Sequence, residues 1–366
     1  MSNTTKKRYG QEQMGVLVIG CGGAAKGHLK AIHENTRLKL IAVADPNEDS
    51  LQWTKENYAP TLAVSNYKEA LDRDDIDIVM VLAPHYLHHI MVLDSLRSGK
   101  HVLCEKPISI SVWEADEMID TAKECGKELF VMLNNRFSPS ARVTRELLDS
   151  EQIGRIFMAR SGYFGYEVER LADMSHWKGD LKKAGGGVLV DGGYHIVDLM
   201  NGFLGPARTV SAEGGQLVIE AEGKGEDNIS LLIEYENGAT ATLQVSFTMI
   251  LPGCDKEPTL AMEHSFLGTN GTIYSNYSWN PIEGLAQHLD VVSTQGRKSV
   301  ALDSVEPLNQ LDHFISCIVD GTSPLVSALD ARNASAVVEA AYESIKTGTK
   351  VKVDWRKNKK GVHKLN

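Results

Sequence analysis

The chain has little cysteine, no excess of positive charge and no long apolar run. Its five cysteines, Cys21, Cys104, Cys125, Cys254 and Cys317, lie far apart and form no C-x-x-C pair. An odd, scattered set excludes a disulfide framework and fits a reducing compartment. Lys and Arg number 38 against 48 Asp and Glu, a formal net charge of −10 over 366 residues. A general polyanion binder needs clustered cations to release phosphate counterions, so no nucleic-acid partner is expected. The longest apolar runs, such as residues 79–83, fall far short of the ~20 residues of a membrane span, and the opening MSNTTKKRYGQEQ has no apolar signal core. These absences predict a cytoplasmic protein with no membrane partner. What is present, 42% hydrophobic and 23% charged residues, is the composition of a globular protein, and the length suits two domains.

Residues 1–13 are polar and patternless and read as a flexible arm. A short β-branched run over 14–19 ends in Gly20-Cys-Gly-Gly-Ala-Ala25, followed by a helical stretch and a second apolar run, 38–44, that stops at Asp45. Strand and helix patterns keep alternating through a final strand at 129–133, which predicts a doubly wound parallel sheet over a domain of residues 14–134. Beyond it the segments lengthen and alternate apolar with polar residues, at 155–163, 207–217, 228–235, 239–245, 262–267 and 271–275, with Asn-Gly turns at Asn237-Gly238 and Asn270-Gly271. A second α+β domain, 135–353, with a large, mostly antiparallel open sheet is expected, closed by helices over 307–320 and 328–347. Residues 354–366 form a basic tail that reads as a solvated end.

Three motifs carry chemistry. Gly20-x-Gly22-x-x-Ala25 follows a strand, opens a helix, and has Asp45 ending the next strand. Backbone N–H groups around Gly20, Gly22, Gly23 and Ala24 can cradle a pyrophosphate at the helix N-terminus, while Asp45 accepts from a ribose hydroxyl. No arginine adjoins Asp45 to grip a 2′-phosphate, so NAD is expected rather than NADP, with Lys26 and Lys30 the residues that could upset this. Ala83, Pro84 and His88 end one buried strand and start its helix, beside the same cofactor. The second motif, Glu105-Lys106-Pro107, ends another strand. A lysine there can hydrogen-bond a substrate oxygen and stabilise an alkoxide; the alternative is a surface ion pair. In the third, Gly185-Gly-Gly-Val-Leu-Val-Asp191-Gly-Gly-Tyr-His195-Ile-Val-Asp198, helical spacing gathers two carboxylates and an imidazole on one stripe. That suits base catalysis by His195 with Asp191 orienting it; a metal pair or a capped helix with a buried histidine are the alternatives, and no third metal ligand accompanies them. Asn134 and Arg136 lie where the two domains meet, and Arg136 either gathers substrate oxygens or forms an ion pair. Trp177 and Lys178, with Tyr163 opening the preceding loop, supply the aromatic plate and charge that suit a sugar.

In this order the nucleotide fold, the Glu-Lys-Pro element and the Gly-Gly-Gly-x-Leu-x-Asp-x-Gly-x-His-x-x-Asp element make residues 14–353 resemble the Gfo/Idh/MocA oxidoreductases, the group of glucose-fructose oxidoreductase and inositol dehydrogenase. Gly99-Lys-His-Val and Asp330-Ala-Arg-Asn extend the likeness. The resemblance implies a Rossmann domain, a C-terminal domain whose sheet makes dimer, tetramer or larger homo-oligomer contacts, and catalytic roles for Lys106, Asp191 and His195. It implies a substrate that is a sugar, glycoside (including one oxidised at C3 of a glucoside) or cyclitol, and cofactor contacts that extend to Glu105, Lys106 and Asn134. Ala25 for the third glycine and His85 for a frequent asparagine depart from the pattern. Two other readings share the motifs: an enzyme that oxidises and re-reduces its substrate on retained NAD to give net elimination, hydrolysis or isomerisation, and a non-catalytic sugar or nucleotide sensor.

Overall fold

A computed structural model describes residues 13–173, 175–219, 222–254, 259–280, 282–306 and 308–355. Residues 1–12 of the expected arm (1–13), residues 356–366 of the expected tail (354–366) and residues 255–258 of the 250–263 loop lie outside them. The chain divides into two compact units, one of residues 13–109, 113–132 and 309–329, the other of 110–112, 133–308 and 330–355.

The first unit is built on six parallel strands, β1 (Met14–Ile19), β2 (Leu38–Ala44), β3 (Leu62–Val64), β4 (Ile78–Val81), β5 (His101–Cys104) and β6 (Leu129–Val131), in the order β3-β2-β1-β4-β5-β6. Strands β1, β4, β5 and β6 are buried along their whole length, as expected for a sheet covered by helices on both faces. The strand order reverses between β1 and β4, and a ligand crevice forms at such a switch point, outside the C-terminal strand ends. One helix of its core comes from far along the chain, beyond the expected domain boundary. Gln310–Asp320 buries Leu311, Phe314, Ile315 and Ile318 among Val18, Leu29, Met80 and Phe130, and Phe314 meets Phe130 edge-on at 4.5 Å between ring centres.

The second unit carries nine strands: β7 (Ile156–Tyr166), β8 (Ala207–Gly215), β9 (Asn228–Tyr235), β10 (Thr240–Ser246), β11 (Thr259–Gly268), β12 (Gly271–Asn280), β13 (Gly284–Ser293), β14 (Gly296–Ser299) and β15 (Val351–Lys352). They run in the order β14-β13-β12-β11-β7-β10-β9-β8-β15, and every pair is antiparallel except β7 with β10. Strands β13 and β14 extend the sheet past the last segment expected from periodicity. Residues of β9 and β10 alternate between buried and solvent-facing, so this sheet has one covered and one open face. Elements on the covered face include the helix Tyr194–Leu204, which contacts β7 and β10. No helix among the described residues is long and apolar enough to cross a membrane.

Phe314 is 2% exposed, so Phe314→Ala leaves a cavity between a C-terminal helix and the parallel sheet. Chemical denaturation should read a loss of about 3–5 kcal/mol; a loss below about 1 kcal/mol would contradict the placement of this helix in the first core.

Candidate active site

Each unit contributes its own set of polar groups. In the first, Gly20 has φ +97°, and a Cβ on it would lie 2.6 Å from the Leu82 carbonyl oxygen, so glycine lets β1 pass directly into the turn. Gly22 and Gly23 are exposed, with nothing within 4 Å of where a Cβ would stand. They open the helix Ala25–Glu34, which has no acidic residue in its first turn. The Asp45 carboxylate closes the other side of the turn, accepting from Cys21 N–H at 2.6 Å and Asn47 N–H at 2.8 Å. A bare backbone turn at a helix N-terminus, flanked by an oriented carboxylate, fits the pyrophosphate and ribose of a dinucleotide. Of the two lysines that could change the cofactor, Lys26 sits 4.7 Å over the Trp53 ring, while Lys30 pairs loosely with Glu34.

Lys106 follows β5 in the same unit and is held from two sides. Glu105 accepts the Lys106 backbone N–H at 2.9 Å, and its other oxygen lies 3.2 Å from His28 Nε2. Burial pushes the Glu105 carboxyl up, but the His28 hydrogen bond and the Lys106 ammonium outweigh it and leave the carboxyl below its ordinary value. From the other side His88, fully buried, sets Nδ1 2.8 Å from the Pro107 carbonyl and Nε2 2.8 Å from that of Ala83. Burial holds its ring below the ordinary histidine value. Both ring nitrogens of His88 face backbone carbonyls, the one carrying the proton donating, and the ring joins the Ala83-Pro84 turn to the lysine turn. His85 is also buried, edge-on to His88 at 5.7 Å.

In the second unit a π-helical turn, Leu189–Gly193, runs straight into the helix Tyr194–Leu204. Its start is fixed by Glu226, which accepts from Gly187 N–H at 3.1 Å and Leu189 N–H at 2.9 Å, and from the Tyr342 hydroxyl at 3.0 Å. Burial pushes the Glu226 carboxyl up. Asp191 projects from the π turn and accepts from Lys178 Nζ at 2.8 and 2.9 Å and from Arg170 at 3.1 Å. Two cations engaged on one carboxylate leave it little freedom to act as a metal ligand. One helical turn on, His195 is 9% exposed and stacks on Tyr163 with 6.1 Å between ring centres and 11° between planes. Burial, then the nearby Asp191 charge, push the Tyr163 phenol up.

Asp198, the third member of the expected stripe, belongs elsewhere. It is 1% exposed and takes a two-pronged bond from Arg136, Nε to Oδ2 at 2.7 Å and Nη2 to Oδ1 at 2.6 Å, and the same Nη2 lies 3.6 Å from Asp330. Arg136 is thus tied into the unit by an ion pair, the second of the two roles its position allowed. Lys178 is likewise bonded to Asp191, and Trp177 stacks with His176 at 5.7 Å. Asn134 is exposed and, with Tyr163 and His195, lines a cavity of about 290 Å³ inside the second unit. Sequence reasoning missed His28, Arg170, Glu226 and the strand residues of that cavity. Only His28, three residues past Ala25 on the same helix, stood close to a motif.

A model of an oxidoreductase family's NAD-binding Rossmann fold matches residues 14–133, and a model of that family's C-terminal alpha/beta domain matches residues 145–353. The chain is 27% identical over 361 residues to D-glucoside 3-dehydrogenase of Escherichia coli, covering 92% of this chain and 97% of that one. It is 24% identical over 366 residues to scyllo-inositol 2-dehydrogenase (NAD(+)) of Bacillus subtilis, covering 96% and 100%. Among solved structures, levoglucosan dehydrogenase in complex with NADH shares the fold at TM-score 0.79 and 20% identity, over 94% of this chain and 100% of that one.

Removing the Arg136 guanidinium would strand the buried Asp198 charge. Arg136→Ala should therefore lower stability by about 3–5 kcal/mol in thermal or chemical unfolding. Native stability combined with a raised KM would restore Arg136 to the substrate.

Proposed function

The chain belongs to the Gfo/Idh/MocA family of oxidoreductases, and from that premise we propose that it transfers hydride between a nicotinamide dinucleotide and a secondary hydroxyl of a sugar, glycoside or cyclitol in the cytoplasm. The observation that carries this reading is the setting of His195: it lines a cavity of about 290 Å³ one helical turn from a carboxylate that two cations hold in place. The Gly20–Ala24 turn and Asp45 hold the dinucleotide, and Ala83, Pro84, Glu105 and Asn134 complete its surroundings. The negative charge of Asp45 disfavours a 2′-phosphate, and Lys26 is engaged on Trp53, which supports NAD over NADP.

When bound, the nicotinamide supplies the hydride acceptor. His195 takes the hydroxyl proton, and the Asp191 charge stabilises the imidazolium that results. The Lys106 ammonium stabilises the alkoxide left on the substrate. Glu105 and its His28 partner hold the lysine turn, while Tyr163 keeps the His195 ring in one plane. Tyr163, Trp177 and Lys178 are the proposed substrate-side groups of the second unit, Lys178 acting through Asp191. Copies of the chain associate through the open sheet face, where Met158, Leu232 and Tyr274 are exposed.

His195→Ala and Lys106→Ala should each lower kcat by about 10²–10⁴-fold while the Kd for NADH stays within about twofold. The check is nicotinamide absorbance during turnover of a neutral polyol and glycoside panel, alongside NADH titration. Undiminished kcat in either variant would remove that residue from the chemistry.

A further inference from the structure

The covered face of the nine-stranded sheet carries a row of side chains in cross-strand register. Leu231, Leu243, Ser161, His264, Ser275 and Leu289 stand opposite one another on β9, β10, β7, β11, β12 and β13. The outer members are buried leucines, yet the three in the middle are polar. The rows on either side are mostly apolar: Ala159, Phe266 and Ile273 in one direction, Tyr163, Met262 and Tyr277 in the other. A polar set in the middle of an apolar layer costs stability unless it has partners, and a core of leucines would continue the row at lower cost.

The polar stretch is where the sheet borders the cavity that His195 also lines; His264 and Ser275 are on its wall, and Ser138, Ser140 and Thr144 line it from the helix Pro139–Asp149 and its N-cap. His264 Nδ1 is already bonded to Ser161 Oγ at 2.8 Å, which leaves the Nε2 edge of the ring for a ligand. Burial holds this imidazole down to about 4, so at neutral pH it meets a ligand as one uncharged donor or acceptor. None of the described lining residues is Lys, Arg, Asp or Glu. Hydroxyls, amides and a neutral ring beside Phe203, Phe266 and Met262 match the alternating O–H and C–H surface of a polyol. A volume of about 290 Å³ stands at the small end of ligand sites, which run ~300–1,000 Å³.

We propose that the Ser161–His264–Ser275 row is the specificity element of the substrate pocket, reading through His264 Nε2 a hydroxyl of an uncharged, single-ring polyol whose reacting carbon lies at His195. This rests on the oxidoreductase reading above and narrows it: acidic sugars and nucleotide sugars are disfavoured, because away from the reacting oxygen the described lining carries no Lys or Arg to offset their charge and the cavity holds only about 290 Å³. His264 touches the substrate away from the reacting bond, so it acts on binding more than on turnover.

The test uses the full chain with myo-inositol and methyl glucoside as neutral probes and glucuronate as the acidic one. Turnover of a neutral probe in preference to glucuronate is expected. His264→Leu should raise KM for the preferred neutral probe at least tenfold, about 1.4 kcal/mol, with kcat within about threefold and NADH affinity unchanged. His264→Gln, which keeps an amide at the ring's edge, should recover part of the loss. An unchanged KM in His264→Leu, or a preference for glucuronate, overturns the proposal. If NADH binds but no probe transfers hydride, the oxidoreductase reading fails on its own, and thermal-shift titration with the same neutral probes still decides the pocket. A shift present in the wild type and lost in His264→Leu supports the row as the reading element; an equal shift in both, or none in the wild type, refutes it.

Discussion

Gly187 passes so close to Glu226 that a Cβ would stand 2.0 Å from the Glu226 carbonyl oxygen, and from that contact the geometry of the second unit's polar groups follows. Because the backbone can come this near, the buried Glu226 carboxyl reaches the Gly187 and Leu189 N–H groups and the Tyr342 hydroxyl fastens it from the long C-terminal helix Ala328–Thr347. The N–H groups at a helix start have no partner within the helix, and a carboxyl supplied from elsewhere in the chain satisfies them. The turn so anchored is the one that presents Asp191 to Lys178 and Arg170 and, one turn later, His195 to Tyr163. A side chain at position 187 would displace that start and, with it, every group downstream.

The first unit solves a similar problem with histidines. The lysine turn has no regular secondary structure of its own, yet Glu105 is gripped by His28 from one helix and the Pro107 carbonyl by His88 from another. Each grip joins a strand-end loop to a helix that packs on the same sheet, so loops at the ligand end take their rigidity from the layers below. In both units, groups expected to touch ligands divide into those that face open space, such as Gly22, Gly23 and Asn134, and those that hold others in place, such as His88 and Arg136.

What was legible in the sequence was local. The strand, glycine turn, helix and Asp45 occupy 32 consecutive positions from Met14, and each residue's role follows from its neighbours, so the dinucleotide turn and the parallel sheet could be read directly. Period-two alternation likewise exposed β9 and β10. What could not be read depends on partners remote in the chain. Asp198 sits on the same helix as Asp191 and His195, and spacing alone puts it in their company; its true partner, Arg136, is 62 residues away. The row Ser161–His264–Ser275 is polar at single positions on three strands, with nothing beside them in sequence to set them apart, and only cross-strand register aligns them. Helix Gln310–Asp320 shows an amphipathic pattern that says it is buried but not against which sheet.

The central claim is hydride transfer from a polyol carbon, and its most direct measurement follows isotope rather than absorbance. The full-length protein would be given NAD and carbon-deuterated myo-inositol or methyl glucoside, and the dinucleotide recovered after turnover analysed by mass spectrometry. The account predicts reduced dinucleotide carrying one deuterium from the substrate in the wild type and almost none formed by His195→Ala. Recovered dinucleotide that is never reduced, or is reduced with hydrogen from solvent, would contradict it.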